Sequence, residues 1–469
     1  MRTVISALLT GFLAICLWIG CLPVGLRAAE LRIATFSADI TPPVGKPVGL
    51  GFVPYAKTVE HPLMAKGMVL KDAGGTYVLC ALDWMEVHND SYDFLRREIA
   101  TAAGTSASRV ALHCLHQHTA PAIDSAAQRL QLDKEDPRRI ATQNYLHETA
   151  RRIALRIRKA RGRMVSITEV GTSKAQVERV ASSRRIRQKD GTILARLSST
   201  RDLKLQAAPV GTIDPWLRTL SLGRAGKPVV QIHVYATHPQ SFYGDARLSY
   251  DTVGIARERL QKETGVFQIY LTGCAGDIAM GKYNDGSREA RKQLTDRIYD
   301  AMKRSVAHLQ RQPITPIRWR TIGLRFPPRK DAAFSEQSSR EILNNPKSAF
   351  SRRLKAAINL AWIARTRAGH PVECSCLTIG TAQLLNLPGE PFVQYQLAAQ
   401  RFRPTAFVLA AGYTDCGMGY IGGDRIYTDR GGYEQSYAFA GPCEALMLKT
   451  IKRLLAAAAS DSDRRPSSR

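Results

Sequence analysis

Apolar residues fall along this chain in short blocks separated by longer amphipathic stretches. The blocks Leu31–Thr35, Tyr77–Trp84, Val110–Leu112, Pro228–Ala236, Phe267–Leu271, Gln383–Leu387 and Ala406–Ala411 are short, apolar and bounded by turn residues, the pattern of buried strands. Between them, apolar positions recur at helical spacing. Ser91–Ala103 reads as a helix capped by Asp90 or Ser91, and Asp136–Arg161 as a longer one carrying Ile140, Leu146, Ile153 and Ile157 on a face. Thr252–Glu263 and Ser287–Leu309 are helical as well. Pro42 and Pro43 stiffen a turn after the first strand. Strands alternating with helices predict an α/β fold: a mixed sheet with helices around one central site at strand carboxyl ends. No internal repeat is detectable.

Several strands run directly into polar residues. Val110–Leu112 leads into His113, His116 and His118; Pro228–Ala236 ends at Thr237-His238-Pro239; Phe267–Leu271 leads to Gly273-Cys274-Ala275-Gly276-Asp277. Gln383–Leu387 ends at Pro388-Gly389-Glu390-Pro391, and Ala406–Ala411 leads past Tyr413 to Tyr420. If the chain stays extended past Val110, His116 and His118 point to the same side. Paired imidazoles suit zinc, although a bare His-x-His is equally the pattern of two hydrogen-bonded loop histidines.

Composition narrows the class. Of 469 residues, 44% are hydrophobic and 23% charged, which fits a globular protein. Met1 to Ala29 has Arg2, an apolar run from Val4 to Leu22 and small residues at Ala28 and Ala29, the features of a secretory signal. Export to the periplasm or beyond is expected, with cleavage near Ala28; the run is also long enough for an anchor, and Cys21 sits in only a poor lipoprotein-type site. Residues 30–455 then form one domain, and 456–469, rich in Ala, Ser, Asp and Arg, a disordered tail. Seven cysteines lie outside the leader, an odd number for disulfide pairing, and Cys80 and Cys114 sit in apolar runs as buried thiols. The net charge of +27 is concentrated in Arg151–Arg196 and Lys303–Lys330. Only Trp319 and Phe326 are aromatic within these stretches, too few for the stacking groove that nucleic acid would need. Peripheral contact with an anionic membrane, or a merely solvated basic face, suits an exported chain better. Lys347–Gly369 groups Phe350, Leu354, Ile358, Ala361 and Trp362 on one side, the pattern of a core-packed helix or of one lying on a membrane.

Two histidines and a carboxylate make a familiar catalytic zinc set. His116, His238 and Glu390 supply it, while residue chemistry makes no choice among Tyr413, Tyr420, Tyr427 and Tyr433. Taken in order, the segments DITPPVG, HQHTAP, THPQS, LPGEP and GYIGGDRIYTDRGGYE resemble the catalytic domain of the neutral (alkaline, non-lysosomal) ceramidases. That resemblance covers roughly Ile33 to Met447. It implies zinc held by His116, His238, Glu390 and Tyr420, with His118, Tyr433 and, from SSRRI, Arg184 as active-site residues.

Two departures qualify it. Ala279 stands where the ceramidases carry a serine in a Gly-Asp-x-Ser-Pro segment, and the chain ends before the β-sandwich domain that follows in those enzymes. The implied activity is hydrolysis of an N-acyl amide, such as an N-acyl sphingoid lipid, by zinc-activated water. A zinc hydrolase of a non-lipid amide or ester on the same scaffold is the alternative that Ala279 favours. A third reading is a binding protein without catalysis.

Overall fold

The computed structural model describes residues 31–456; the leader and the tail after Ala456 lie outside them. Three mixed sheets carry the fold, not one, and each is built on the same plan. In the first, hairpin strands Met64–Asp72 and Gly75–Leu82 are followed by the helix Asn89–Ala103 and by Val110–Cys114, which pairs parallel to Gly75–Leu82. In the second, the hairpin Trp216–Arg224 and Lys227–Tyr235 leads through the helix Asp251–Thr264 to the parallel strand Phe267–Thr272. The third repeats this with Val372–Ile379, Ala382–Asn386, the helix Val393–Phe402 and the parallel strand Phe407–Ala411. Each hairpin is flanked by one more antiparallel strand: Leu31–Asp39, Glu169–Gln176 and Arg318–Leu324 respectively. A threefold repetition of topology is therefore present where the sequence repeats nothing, because packing constrains only which positions are apolar.

One face of every sheet meets in a common core. Alternation does this: Tyr77, Leu79 and Ala81 face that core, while Val78, Cys80 and Leu82 face outward onto Leu95, Ile99, Ile153 and Ile157 of two helices. Ile232 and Val234 join the core from the second sheet, and Leu384 and Leu409 from the third. The third sheet's other face, with Cys374 and Cys376, is covered by the helices Phe350–Arg367 and Glu444–Leu455. Leu354, Ile358, Ala361 and Trp362 are buried there, so the stripe on that helix is a core stripe; Phe350 alone among them is exposed.

Helix ends differ from expectation in one place. The helix Pro137–Arg161 is capped by Asp136, whose carboxylate accepts from Arg138 N at 2.8 Å. The helix Asn89–Ala103 starts after His88, and neither Asp90 nor Ser91 caps it. Asp90 pairs instead with Arg129, and the Ser91 hydroxyl is bound to Ser125 at 2.9 Å. Ile140, placed by its spacing on the apolar face, is exposed.

The first and second units are joined by a buried ion pair. Asp83, just past the end of Gly75–Leu82, receives two bonds from Arg257 at 2.7 and 2.9 Å, with both side chains fully buried. All seven described cysteines are buried and unpaired. No helix among the described residues is long and apolar enough to cross a membrane.

Candidate metal centre

The parallel pairs point their carboxyl ends at one place. His116 lies two residues beyond Val110–Cys114, His238 three beyond Lys227–Tyr235, and Glu390 four beyond Ala382–Asn386. His116 is not reached by simple strand alternation. Its N–H still bonds Trp84 O at 2.9 Å, but its backbone turns into the left-handed region, φ 69°. For a residue with a side chain this is a strained conformation, of the kind that clusters at functional sites. The turn brings the His116 and His118 rings to 5.0 Å, edge to face.

Glu390 is fixed by its neighbour. It pairs in parallel register with Tyr420, its N–H bonding Gly419 O at 2.9 Å. Gly389 precedes it at φ 63°, and a Cβ there would lie 2.6 Å from the same carbonyl, so only glycine fits.

Three ligand atoms converge. His116 Nε2 and His238 Nε2 are 3.0 Å apart, and Glu390 Oε2 lies 3.1 and 3.0 Å from them. The opposite ring nitrogens face carbonyls: His116 Nδ1 bonds Met85 O at 3.1 Å, and His238 Nδ1 bonds Ala275 O at 2.7 Å and Ile278 O at 3.1 Å. Both Nδ1 atoms therefore carry the proton, and both Nε2 atoms turn toward the carboxylate. All three residues are buried. Two nitrogens with one oxygen so placed could hold a metal ion, and they suit zinc. Two overlapping groups are also compact enough for a metal: His116 with His118 and His238, and Glu86 with His116 and Glu390.

Arg184 closes one side. It follows the short strand Ser182–Ser183, and its N–H bonds Asp277 O at 2.8 Å. Its Nη1 lies 3.0 Å from His238 Nε2 and 3.3 Å from the Tyr420 hydroxyl. Burial, followed by Arg184, pushes His238 down to about 3. Burial also drives His118 far below its usual range, reinforced by His116, His238 and Arg184. On Glu390, burial alone would raise the pKa, but the charge and hydrogen bond of His116 hold it well below the usual carboxylate range.

The four tyrosines separate clearly. Tyr420 touches Arg184 and stands perpendicular to Tyr433, with ring centroids 6.0 Å apart. Tyr433 is pushed up to about 12 by burial, so its hydroxyl stays protonated. Tyr413 is fully buried and stacks on His116 at 4.4 Å. Tyr427 donates to Ala440 O at 2.8 Å, outside the group. Above the centre opens a cavity of about 310 Å³, with Arg184, Ser198 and Gln240 in its wall and Leu197, Tyr243 and Tyr437 partly exposed around it. Ala279 is buried in a strand pair with Ser182, outside the cavity wall.

No family model matches the chain, and no curated protein matches its sequence. Solved structures do match its shape. The neutral ceramidase from Pseudomonas aeruginosa superposes with TM-score 0.65 over 91% of this chain and 74% of that one, at 16% identity. A ceramidase complexed with C2 gives TM-score 0.64 over 91% and 75%, at 15% identity. This chain has the neutral-ceramidase fold.

Within the neutral-ceramidase fold, sequence reasoning missed Glu86, Ser198 and Gln240. Glu86 lies four residues past Gly75–Leu82, the place in the first unit that His238 and Glu390 occupy in the second and third. It is buried; one oxygen bonds His88 Nε2 at 2.9 Å and the other lies 3.6 Å from His116 Nδ1. His88 also faces Asp124 at 3.5 Å and, against the cost of burial, these two carboxylates raise it to about 10. A lone acid in the apolar run Trp84-Met85-Glu86-Val87 was the available signal. Ser198 carried none.

Proposed function

We propose that this protein is a zinc-dependent hydrolase of the neutral-ceramidase type that cleaves the amide bond of an N-acyl compound. The observation that carries the reading is the convergence of His116, His238 and Glu390 at about 3 Å from one another on the floor of an accessible cavity. Tyr420, cross-strand neighbour of Glu390, is the fourth ligand in this reading. Zinc bound there supplies a Lewis acid for the carbonyl and lowers the pKa of a coordinated water to about 7.

The chain's own groups do the rest. Arg184, in the cavity wall, holds a polar part of the substrate. The protonated Tyr433 hydroxyl donates a hydrogen bond to charge developing on the carbonyl oxygen. His118, a neutral imidazole beside His116 whose Nε2 has no hydrogen-bond partner, offers a hydrogen bond to the reacting amide or its leaving nitrogen. The aromatic and apolar rim seats an acyl chain. Export follows from the leader, and the basic surface suits contact with anionic lipid.

A second reading, hydrolysis of a non-lipid amide or ester, draws on Ala279 in place of the serine. Metal analysis of the purified chain, together with a panel of ceramides, other N-acyl amines and acyl esters, tests both. One zinc per chain with amide turnover supports the proposal. A zinc-free protein inert toward the whole panel, even after zinc is added, overturns it.

A further inference from the structure

Arg184 is 3% exposed, yet no carboxylate lies within 4 Å of its guanidinium among the described residues. Its hydrogen-bond partners are neutral or already engaged. Nη2 bonds Ser198 Oγ at 2.9 Å and Gln240 Oε1 at 3.2 Å, while Nη1 faces the Tyr420 hydroxyl and His238. Its Nε–H is buried with no acceptor. Ser198 donates in turn to Gln240 at 2.5 Å, so the two neutral groups brace each other and hold the guanidinium in place. A buried cation with no carboxylate in contact, Glu390 acting on it only at longer range, is costly to maintain, and an orphaned buried donor calls for an explanation. Among the other buried arginines, Arg257 has Asp83 and Arg96 has Glu373, while Arg196, also without a carboxylate, is bound by the backbone carbonyls of Ser183, Leu205, Ala208 and Pro209. Arg184 differs in standing in the wall of the cavity above the metal ligands.

The rim adds a second constraint. Leu197, Tyr243 and Tyr437 remain 49%, 45% and 40% exposed in a cavity that His116, His118, Glu390 and Arg184 also line. A ligand matching both parts is an anionic amphiphile, its apolar chain on the rim and its charge on Arg184. Resting on the hydrolase reading above, we infer that the substrate is an N-acyl amino acid, whose carboxylate on the amine side of the scissile amide pairs with Arg184. Ceramide carries no such charge. A planar carboxylate fits the guanidinium fork, taking over contacts now made to Ser198 and Gln240. Hydrolysis consumes one water and releases a fatty acid and a free amino acid.

The test compares N-octanoylglycine with N-octanoylethanolamine, which share the acyl chain and differ in charge. The zinc-loaded full chain is expected to favour the glycine conjugate in kcat/KM by about tenfold or more, the scale of one charge-assisted contact. Arg184→Met is expected to bring the ratio near one while zinc content stays unchanged. If that variant does not fold, Ser198→Ala is expected to lower the ratio in part. Equal or reversed preference in the wild type overturns the inference and leaves the hydrolase reading standing. Should neither compound be cleaved, calorimetric binding of the same pair decides: tighter binding of the glycine conjugate, lost in Arg184→Met, upholds the anion site, and equal binding refutes it.

Discussion

Replacing Glu390 by glutamine separates the metal from the fold. In the metal-free chain, Glu390 Oε2 sits about 3 Å from two imidazole nitrogens. Glutamine keeps the shape but removes the carboxylate charge that raises the pKa of His116 and whose own pKa His116 in turn holds low. The metal-free variant is therefore expected to be less stable than the wild type by about 1.5–3 kcal/mol, the worth of a hydrogen bond to a charged group. Zinc acts oppositely. At a thousandfold excess over its dissociation constant, a ligand that binds only the folded state stabilises it by about 4.1 kcal/mol. The described chain runs from 31 to 456, which is 426 residues. Because the three sheets share one core, unfolding as a single unit carries an entropy of about 0.9 kcal/mol/K. Zinc should then raise the wild-type Tm by about 4 to 5 °C, and hardly at all in Glu390→Gln, whose own metal-free Tm falls by about 2 to 3 °C. Differential scanning calorimetry of stripped and reloaded protein, with metal content measured on the same samples, reads both effects. A Glu390→Gln chain that retains one zinc and the full thermal shift would refute the assignment of Glu390. A metal-free variant as stable as the wild type would refute the ion-pair argument.

Other expectations follow from groups away from the centre. Arg257→Met leaves Asp83 buried and unpaired and should cost about 3–5 kcal/mol in urea unfolding. Asp277 is raised to about 7, chiefly by burial. Its folded form holds a proton that the unfolded chain has already released between about pH 4 and 7. Its contribution to stability is therefore full below about pH 4 and lost as pH rises to about 7, so Asp277→Asn should flatten that part of the stability profile. Trp362→Ala should cost about 3–5 kcal/mol as a core truncation, leaving association with anionic vesicles unchanged; weakened vesicle binding without loss of stability would return that helix to a membrane role.

Much of the site was legible because ligands follow strands. Each buried strand is a run of apolar residues, and the polar residue that breaks it is visible without any structure. His116, His238 and Glu390 were found in that way. Tyr420 was not separable from Tyr413, Tyr427 and Tyr433 by chemistry, since the distinction lies in which phenol reaches Arg184. Glu86 was obscured because its importance comes from equivalence between units, and the threefold plan leaves no repeat in the sequence. Alternation placed His116 and His118 together for the wrong reason: the strand ends at Cys114, and a left-handed residue does the turning. The helix start at Asn89 was misjudged because Asp90 and Ser91 bond to side chains across a gap instead of to their own helix.

If zinc is held as proposed above, its ligands His116, His238, Glu390 and Tyr420 come from three successive units, and this would tie metal acquisition to synthesis of the chain. From His116 to Tyr420 is 420 − 116, or 304 residues. At about 5–20 residues per second, the first ligand waits roughly 15–60 s on the growing chain before the last is made. No pair of ligands is local enough to capture an ion early, so the metal cannot act as a nucleus for folding. It enters a scaffold whose sheets are already closed, in whichever compartment the third unit finally docks. A chelator present throughout refolding should accordingly leave the rate of folding unchanged and the product competent to load afterwards.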